Sequence, residues 1–192
     1  MTTGAVFPAE TVLSDGSVYR VVPVETGVRA IRAWVEHPWP MSPAQALALR
    51  DRLGWTSSLT NERMFTTDHG IGEKDAWFIA VEAGEDTRTV VSFRMSLTSR
   101  IPKDVMDEAV PIAVRAFDAY VEALTAIYGQ GKRGKRKQHA SMTWTLPSDA
   151  SVRIGTVSWL ISISITSPAG NEIARGEAQY FAEIADENDP AR

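Results

Sequence analysis

Hydrophobic and polar residues change their period several times along this chain, and each change marks a predicted element. Val18, Arg20, Val22 and Val24 alternate with Tyr19, Val21 and Pro23, the spacing of a short strand. Pro23 has no N–H to give to a ladder and so assigns that strand to an edge. Val28, Ile31, Trp34 and Val35 then follow the spacing of one helical face until Pro38 and Pro40 forbid continuation. A second helix, predicted over 43–53, is marked at both ends. Ser42 caps it, Pro43 suits its first position, Gln45 completes a capping box, and Gly54 stands where a left-handed C-terminal residue belongs.

Beyond Trp55 the period falls to two. Met64 and Phe65 begin a strand, 76–82 forms another with Trp77, Ile79 and Val81 on one face, and 84–86 turns the chain. In the return strand, 88–99, Val91, Phe93, Met95 and Leu97 face one way while Ser92, Arg94 and Ser96 face the other. Such alternation belongs to a sheet packed on one side and wet on the other. Its cover comes from 104–128, where Val110, Val114, Phe117, Val121, Leu124 and Tyr128 recur at alternating steps of four and three. Asp104 can cap this helix, Pro111 kinks its first turns or marks a later start, and Gly129 ends it.

A loop rich in Gly, Lys and Arg follows. Met142, Trp144 and Leu146 then alternate, 147–150 turns, and Val152 and Ile154 resume the pattern as the second arm of a hairpin. Val157, Trp159, Ile161, Ile163 and Ile165 make the strongest alternating run, after which 172–181 fits a strand or a helix. The order helices, strands, long helix, strands, with hairpins in place of regular βα alternation, predicts an α+β fold in which helices pack on one face of an antiparallel sheet. We read one domain over 1–192, with a loosely attached arm about 1–26 and a frayed acidic tail 186–192.

Composition narrows the chemistry. At 192 residues and 44% hydrophobic the chain can fill one substantial core, and its net charge of −4 does not suit wholesale coating of nucleic acid. Without cysteine there is no disulfide, thiolate ligand or thiol nucleophile. The start of the chain lacks the basic and apolar pattern of an export signal, and the longest apolar run is broken by Ser158, Ser162 and Ser164. The expectation is a cytoplasmic protein with no membrane segment.

Gly129, Gly131 and Gly134 match the dinucleotide fingerprint, and with Lys135 nearly a P-loop, except that Arg136 holds the Ser/Thr place. Both motifs need a strand before the glycines and a helix after them; here the order is reversed, so the amides cannot converge on a phosphate. The same segment carries Lys132, Arg133, Lys135, Arg136 and Lys137, a strongly positive stretch that reads as a solvated loop or as a contact for an acidic protein surface or phosphates. No aromatic residue interleaves with these cations to stack on bases. His37, His69 and His139 fall in separate predicted loops, and no metal, hydrolase or triad spacing accompanies them. Glu73 with Asp75, and Glu82 with Glu85 and Asp86, read as solubilising acids. Of six tryptophans, Trp39 stands apart, between two prolines, either plugging the helical layer or anchoring a partner.

Trp39-Pro40 before a capped helix and Leu53-Gly54-Trp55, the helix end Leu124-Thr125-Ala126-Ile127-Tyr128-Gly129, and Met142-Thr143-Trp144 leading to Ile161-Ser162-Ile163 together resemble a family of small uncharacterised actinobacterial domains, over roughly residues 30 to 165. The element order is also similar to the secretion-chaperone-like fold, whose members are acidic, non-enzymatic binders of partner proteins. That resemblance implies an immunity protein or chaperone masking a toxin or secreted partner, and carries over no catalytic residue and no cofactor. Function then rests on binding, with Lys132, Arg133, Lys135, Arg136, Lys137 and Trp39 as the candidate contacts. Two alternatives remain open: a nucleic-acid or phosphate binder using 132–137, and an enzyme whose site is assembled from distant loops.

Overall fold

Local signals and burial act together in the computed structural model, which describes residues 8–84, 87–136 and 139–187. Among these residues the elements run β1 (Glu10–Val12), β2 (Val18–Arg20), α1 (Val24–Val35), α2 (Pro43–Arg52), β3 (Thr56–Ser57), β4 (Met64–Thr66), β5 (Ala76–Glu82) and β6 (Arg88–Ser96). A 3-10 turn (Lys103–Val105) leads to α3 (Met106–Tyr128), then β7 (Lys132–Arg136), β8 (His139–Thr145), β9 (Ser151–Val157), β10 (Leu160–Thr166) and α4 (Pro168–Glu187). The capping box of α2 forms as its spacing predicts: Gln45 N–H donates to Ser42 Oγ at 3.3 Å and Ser42 N–H to Gln45 Oε1 at 2.8 Å. Gly54 follows with φ of +74°.

The main sheet has the order β3-β4-β5-β6-β10-β9-β8-β7, and every ladder in it is antiparallel. It consists of two four-stranded meanders, before and after α3, whose last strands meet: Met95 of β6 lies opposite Ile163 of β10. β1 and β2 form a separate hairpin. The described part of the segment read as a loose arm, from residue 8 on, reaches the core, with Tyr19, Val21 and Val22 buried and the Tyr19 hydroxyl donating to Trp159 O; residues 1–7 lie outside the described residues.

One face of the sheet is dry. Phe93 and Met95 of β6, Ile161 and Ile163 of β10, Ile154 of β9 and Trp144 of β8 are buried beneath α1, α2 and α3. At the centre Trp34 of α1 stacks on Phe93 with ring centroids 3.9 Å apart, flanked by Trp55 and Phe65. The α+β fold with α1, α2 and α3 on one face of an antiparallel sheet, and a long helix among the strands, is therefore as read from the pattern.

Several details differ. The buried side of α3 runs through Ala109, Ala113, Ala116, Phe117, Tyr120 and Leu124, and leaves Val114 exposed. Alanines let the helix lie close to α1 and the sheet, which the bulkier valine positions do not. Pro111 sits inside α3, and no side chain caps its start. The run predicted as one strand through Val157, Trp159 and Ile161 is broken by a tight turn at Ser158, whose φ is +53°, so that Val157 pairs with Leu160. The ambiguous last segment is helical. In β5 the buried side is Ala76, Phe78 and Ala80, which turns Trp77 and Ile79 to the other face. Expectations for residues 85–86 and for 188–192 fall outside the described residues.

Candidate functional site

The described part of the basic segment, residues 132–136, is a strand and not a loop. After Gly129 the chain enters β7, the outermost strand, where Lys132 pairs with Thr143, Arg133 with Met142, Lys135 with Ala140 and Arg136 with His139. Charged residues on such an edge discourage pairing with another sheet. Successive strand residues point to opposite faces, so the exposed neighbours Lys132 and Arg133 do not share a surface. Of Lys135 and Arg136 only the backbone is described, and Lys137 lies outside the described residues. His139, expected in a loop, is exposed in β8. Trp39 is half-buried; its indole N–H donates to Val35 O at 3.3 Å, and its ring lines a cavity of about 470 Å³ with Pro40, Thr89, Pro168 and Glu172. Among the described residues no residue of β7 lines that cavity, so Trp39 is not brought together with Lys132 or Arg133.

The sheet register assembles a different group, on the face that α1–α3 leave open. One transverse row runs Trp77, Arg94, Ser164, Arg153, Thr143, Lys132, each directly opposite the next on β5, β6, β10, β9, β8 and β7. Ser164 thus stands between two arginines, and adjacent strands lie about 4.8 Å apart. Arg94, Arg153 and Lys132 are exposed. Among the described residues, none of the three makes an ion pair, and Arg153 donates to Ser141 Oγ at 3.3 Å. Arg94 and Arg153 line a concave groove of about 550 Å³ with His139, Gly155, Ser162 and Ser164, and among the described residues no carboxylate lines it.

α4 borders the same face. Its first turn is fixed to the sheet by Ser167 N–H donating to Val91 O at 3.0 Å, by Asn171 Nδ2 donating to Asp149 O at 2.6 Å, and by Ser151 Oγ meeting Asn171 Oδ1 at 3.2 Å. Arg175 pairs with Asp149 at 2.8 Å and holds that carboxyl below its usual range. A cleft lined by Ala174, Ala178, Thr143, Thr145 and Ser151 separates the helix from β8 and β9. Farther along, Ile173, Tyr180 and Phe181 stand 45%, 60% and 66% exposed.

A cavity of about 780 Å³ lies on the helical side against α1 and carries both signs of charge, including Glu25, Arg29, Glu36 and Arg52. Its Arg32 and Glu36 neutralise each other at 2.8 Å, and Tyr128 Oη donates to Glu36 at 3.2 Å. Between β4 and β5 the side chains of Asp75 and His69 are buried near one another. Asp75 accepts from Thr67 N–H at 2.7 Å and from the Thr67 hydroxyl, which ties down the chain between β4 and β5. Burial raises this carboxyl above its ordinary value despite those bonds. Glu73 is exposed, as a solubilising acid should be, whereas Asp75, read the same way from sequence, is buried. Desolvation lowers the His69 imidazole although Asp68, at 3.1 Å, and Asp75 oppose the shift, and His69 Nε2 is buried without a partner. Neither residue lines any of the cavities above, so this pair holds a loop.

A folded imidazole pKa below the ordinary 6.5 means that the unfolded chain takes up the proton first. The contribution of His69 is therefore present above pH 6.5 and is lost as pH falls below it toward the lower folded value. The raised Asp75 has the opposite sign and penalises folding as pH climbs through its folded value. We expect the melting temperature of the wild type to fall more steeply between pH 7 and pH 5 than that of His69→Gln; parallel curves in calorimetry would show that His69 titrates as it does in solution.

Among the described residues no group of three or more His, Asp or Glu could hold a metal ion, and no helix is long and apolar enough to cross a membrane. Arg153, Ser164 and Thr143 were not marked by any sequence motif; only the alternation in each strand hinted that they face outward. A family model described as "Family of unknown function (DUF6301)" matches residues 25–167, more than half of the chain, and the chain belongs to that family. A search of the curated proteins and a search of the solved structures each found no match.

Proposed function

We propose that this member of DUF6301 is a protein-binding module that masks a partner surface, as an immunity protein or chaperone masks a toxin or secreted effector. The observation that carries this reading is α4, which begins where the matched family segment ends and holds Ile173, Tyr180 and Phe181 in water. Ring centroids of Tyr180 and Phe181 lie 5.8 Å apart, so the two aromatics form one apolar surface. Aromatic anchors beside a polar, arginine-bearing rim are the anatomy of a protein interface. The secretion-chaperone-like order of elements supports the same role, and binding of this kind needs no general acid, nucleophile or metal.

The test uses the full chain and Tyr180→Ser/Phe181→Ser. Substitutions at exposed positions cost within about 0.5 kcal/mol, so the variant folds as the wild type does. Affinity isolation from the native cell should recover a protein in stoichiometric amount with the wild type and lose it with the variant. Recovery that ignores the substitution, or no recovered protein at all, overturns the proposal.

A further inference from the structure

We infer that the open face of the sheet is a binding site for an acidic helix of a partner protein, laid across β6, β10, β9, β8 and β7 and held by Arg94, Arg153 and Lys132. The inference rests on the protein-binding role above and assigns its polar half. Three cations lie in one transverse row, with Ser164 and Thr143 between them as hydrogen-bonding hydroxyls. None of the three is neutralised by a carboxylate among the described residues. A groove of about 550 Å³ gives the ligand room to reach both arginines.

Spacing selects the form of the ligand. Arg94 and Arg153 are separated by two strand spacings, and so are Arg153 and Lys132, which places successive cations roughly 10 Å apart. In an extended strand, residues on one side recur at about 7 Å and fall out of step with such a row. A helix presents residues seven apart on one side at about 10 Å, so acids at i, i+7 and i+14 meet all three cations. Guanidinium groups donate to carboxylates in bidentate pairs, the stronger class of hydrogen bond.

Charge and shape favour protein over nucleic acid. The chain is acidic overall, with a net charge of −4, and α4 flanks the face with Glu172, Glu177 and Glu183, which repel a continuous phosphate backbone. Of the row, Trp77 alone is aromatic and it is half-buried, whereas single strands need a succession of stacking rings. A helix with discrete carboxylates on one side and apolar residues on the other meets both the cationic row and the exposed aromatics of α4.

The experiment measures fluorescence anisotropy of two labelled alanine- and glutamine-based peptides of about 20 residues. One carries three glutamates seven residues apart; the other carries the same three spread around the helix. A single-stranded thymidine oligonucleotide is the third probe. The aligned peptide should bind best and weaken with salt. It should lose roughly tenfold in affinity for each of Arg94→Ser and Arg153→Ser, as expected for charge-assisted bonds. Arg29→Ser/Arg52→Ser, on the helical side, should change nothing. Gly155→Leu is an independent block: a Cβ there meets Ala140 O and Ser141 Cβ at an ordinary 3.9 Å, so a side chain can start from this position, which lines the groove.

Equal binding of the two peptides, or binding insensitive to Arg94, Arg153 and Gly155, overturns the inference. An oligonucleotide that binds more tightly than the aligned peptide and depends on the same residues replaces it with a nucleic-acid site. If no peptide binds while capture through Tyr180 and Phe181 persists, this site falls and the masking role stands. If the aligned peptide binds but capture ignores α4, the site stands and the masking role falls.

Discussion

Replacing Trp34 by alanine will destabilise the protein by about 3–5 kcal/mol, the range for truncating a large aromatic inside a packed core. For a chain of this size each kcal/mol moves the melting temperature by about 2–4 °C, so the loss is easily read in a thermal melt. Trp34 is fully buried, stacks on Phe93 at 3.9 Å and touches the stack of Trp55 and Phe65, so that its removal empties the junction between α1, α2 and the first meander. Its indole N–H is buried and has no partner among the described residues. An unmade bond of that kind costs about 1–3 kcal/mol, so Trp34→Phe, which removes the donor and keeps a ring, should lose less than half of what alanine loses. Melts of Trp34→Ala within a degree or two of the wild type would show that the aromatic stack does not hold the two layers together.

Gly27→Ala should also destabilise, although helix propensity alone assigns alanine an advantage of about 1 kcal/mol at such a position. Gly27 lies where α1 crosses α3, and a Cβ there would overlap the Tyr120 hydroxyl and stand 2.8 Å from two ring carbons. Tyr120 cannot easily retreat. It is fully buried, and its Oη donates to Val22 O at 2.9 Å. Burial also pushes its phenol pKa upward. Overpacking costs about 1–3 kcal/mol, and a Val22 carbonyl stripped of its donor adds about 1–3 kcal/mol. The double variant Gly27→Ala/Tyr120→Phe should be less damaged than the sum of the single ones, because removing the hydroxyl relieves the worst overlap and the two residues are in contact. Strict additivity would place the strain elsewhere; a stability gain in Gly27→Ala would mean the helices do not meet here.

The candidate site was legible in sequence only in part. Arg94 could be placed on the wet side of its strand because Phe93 and Met95 alternate with it. Arg153 sits between Val152 and Ile154 in the same way. Nothing local says that they become neighbours, because β10, which lies between β6 and β9, follows β9 in the chain and reaches β6 only by long-range pairing. The basic run 132–137 misleads for the opposite reason: five cations close together in sequence look like one patch. Once Lys132 and Arg133 sit in a strand their side chains diverge, and contiguity in sequence no longer means contiguity in space. Trp39 was isolated by its flanking prolines, yet its bond to Val35 O seats it on the end of α1.

What the sequence determined by itself was whatever depends on nearest neighbours and period. Ser42 and Gln45 cap α2 because both partners lie within one turn, and the alternation of Phe93, Met95 and Ile163 with hydroxyl residues decides which side of each strand is buried. These are short-range effects whose energies are set before the chain closes on itself. Tertiary structure decided the rest. The alanine-rich side of α3 wins over the valine stripe because Tyr120 must reach Val22, and a helix can approach closely only across small side chains. Ser158 breaks the longest apolar run because Leu160 gains a partner in Val157 by turning back. The pairing of β6 with β10 that aligns Arg94, Ser164 and Arg153 arises from burying two meanders under one layer of helices, a condition on the whole chain that no segment of it carries.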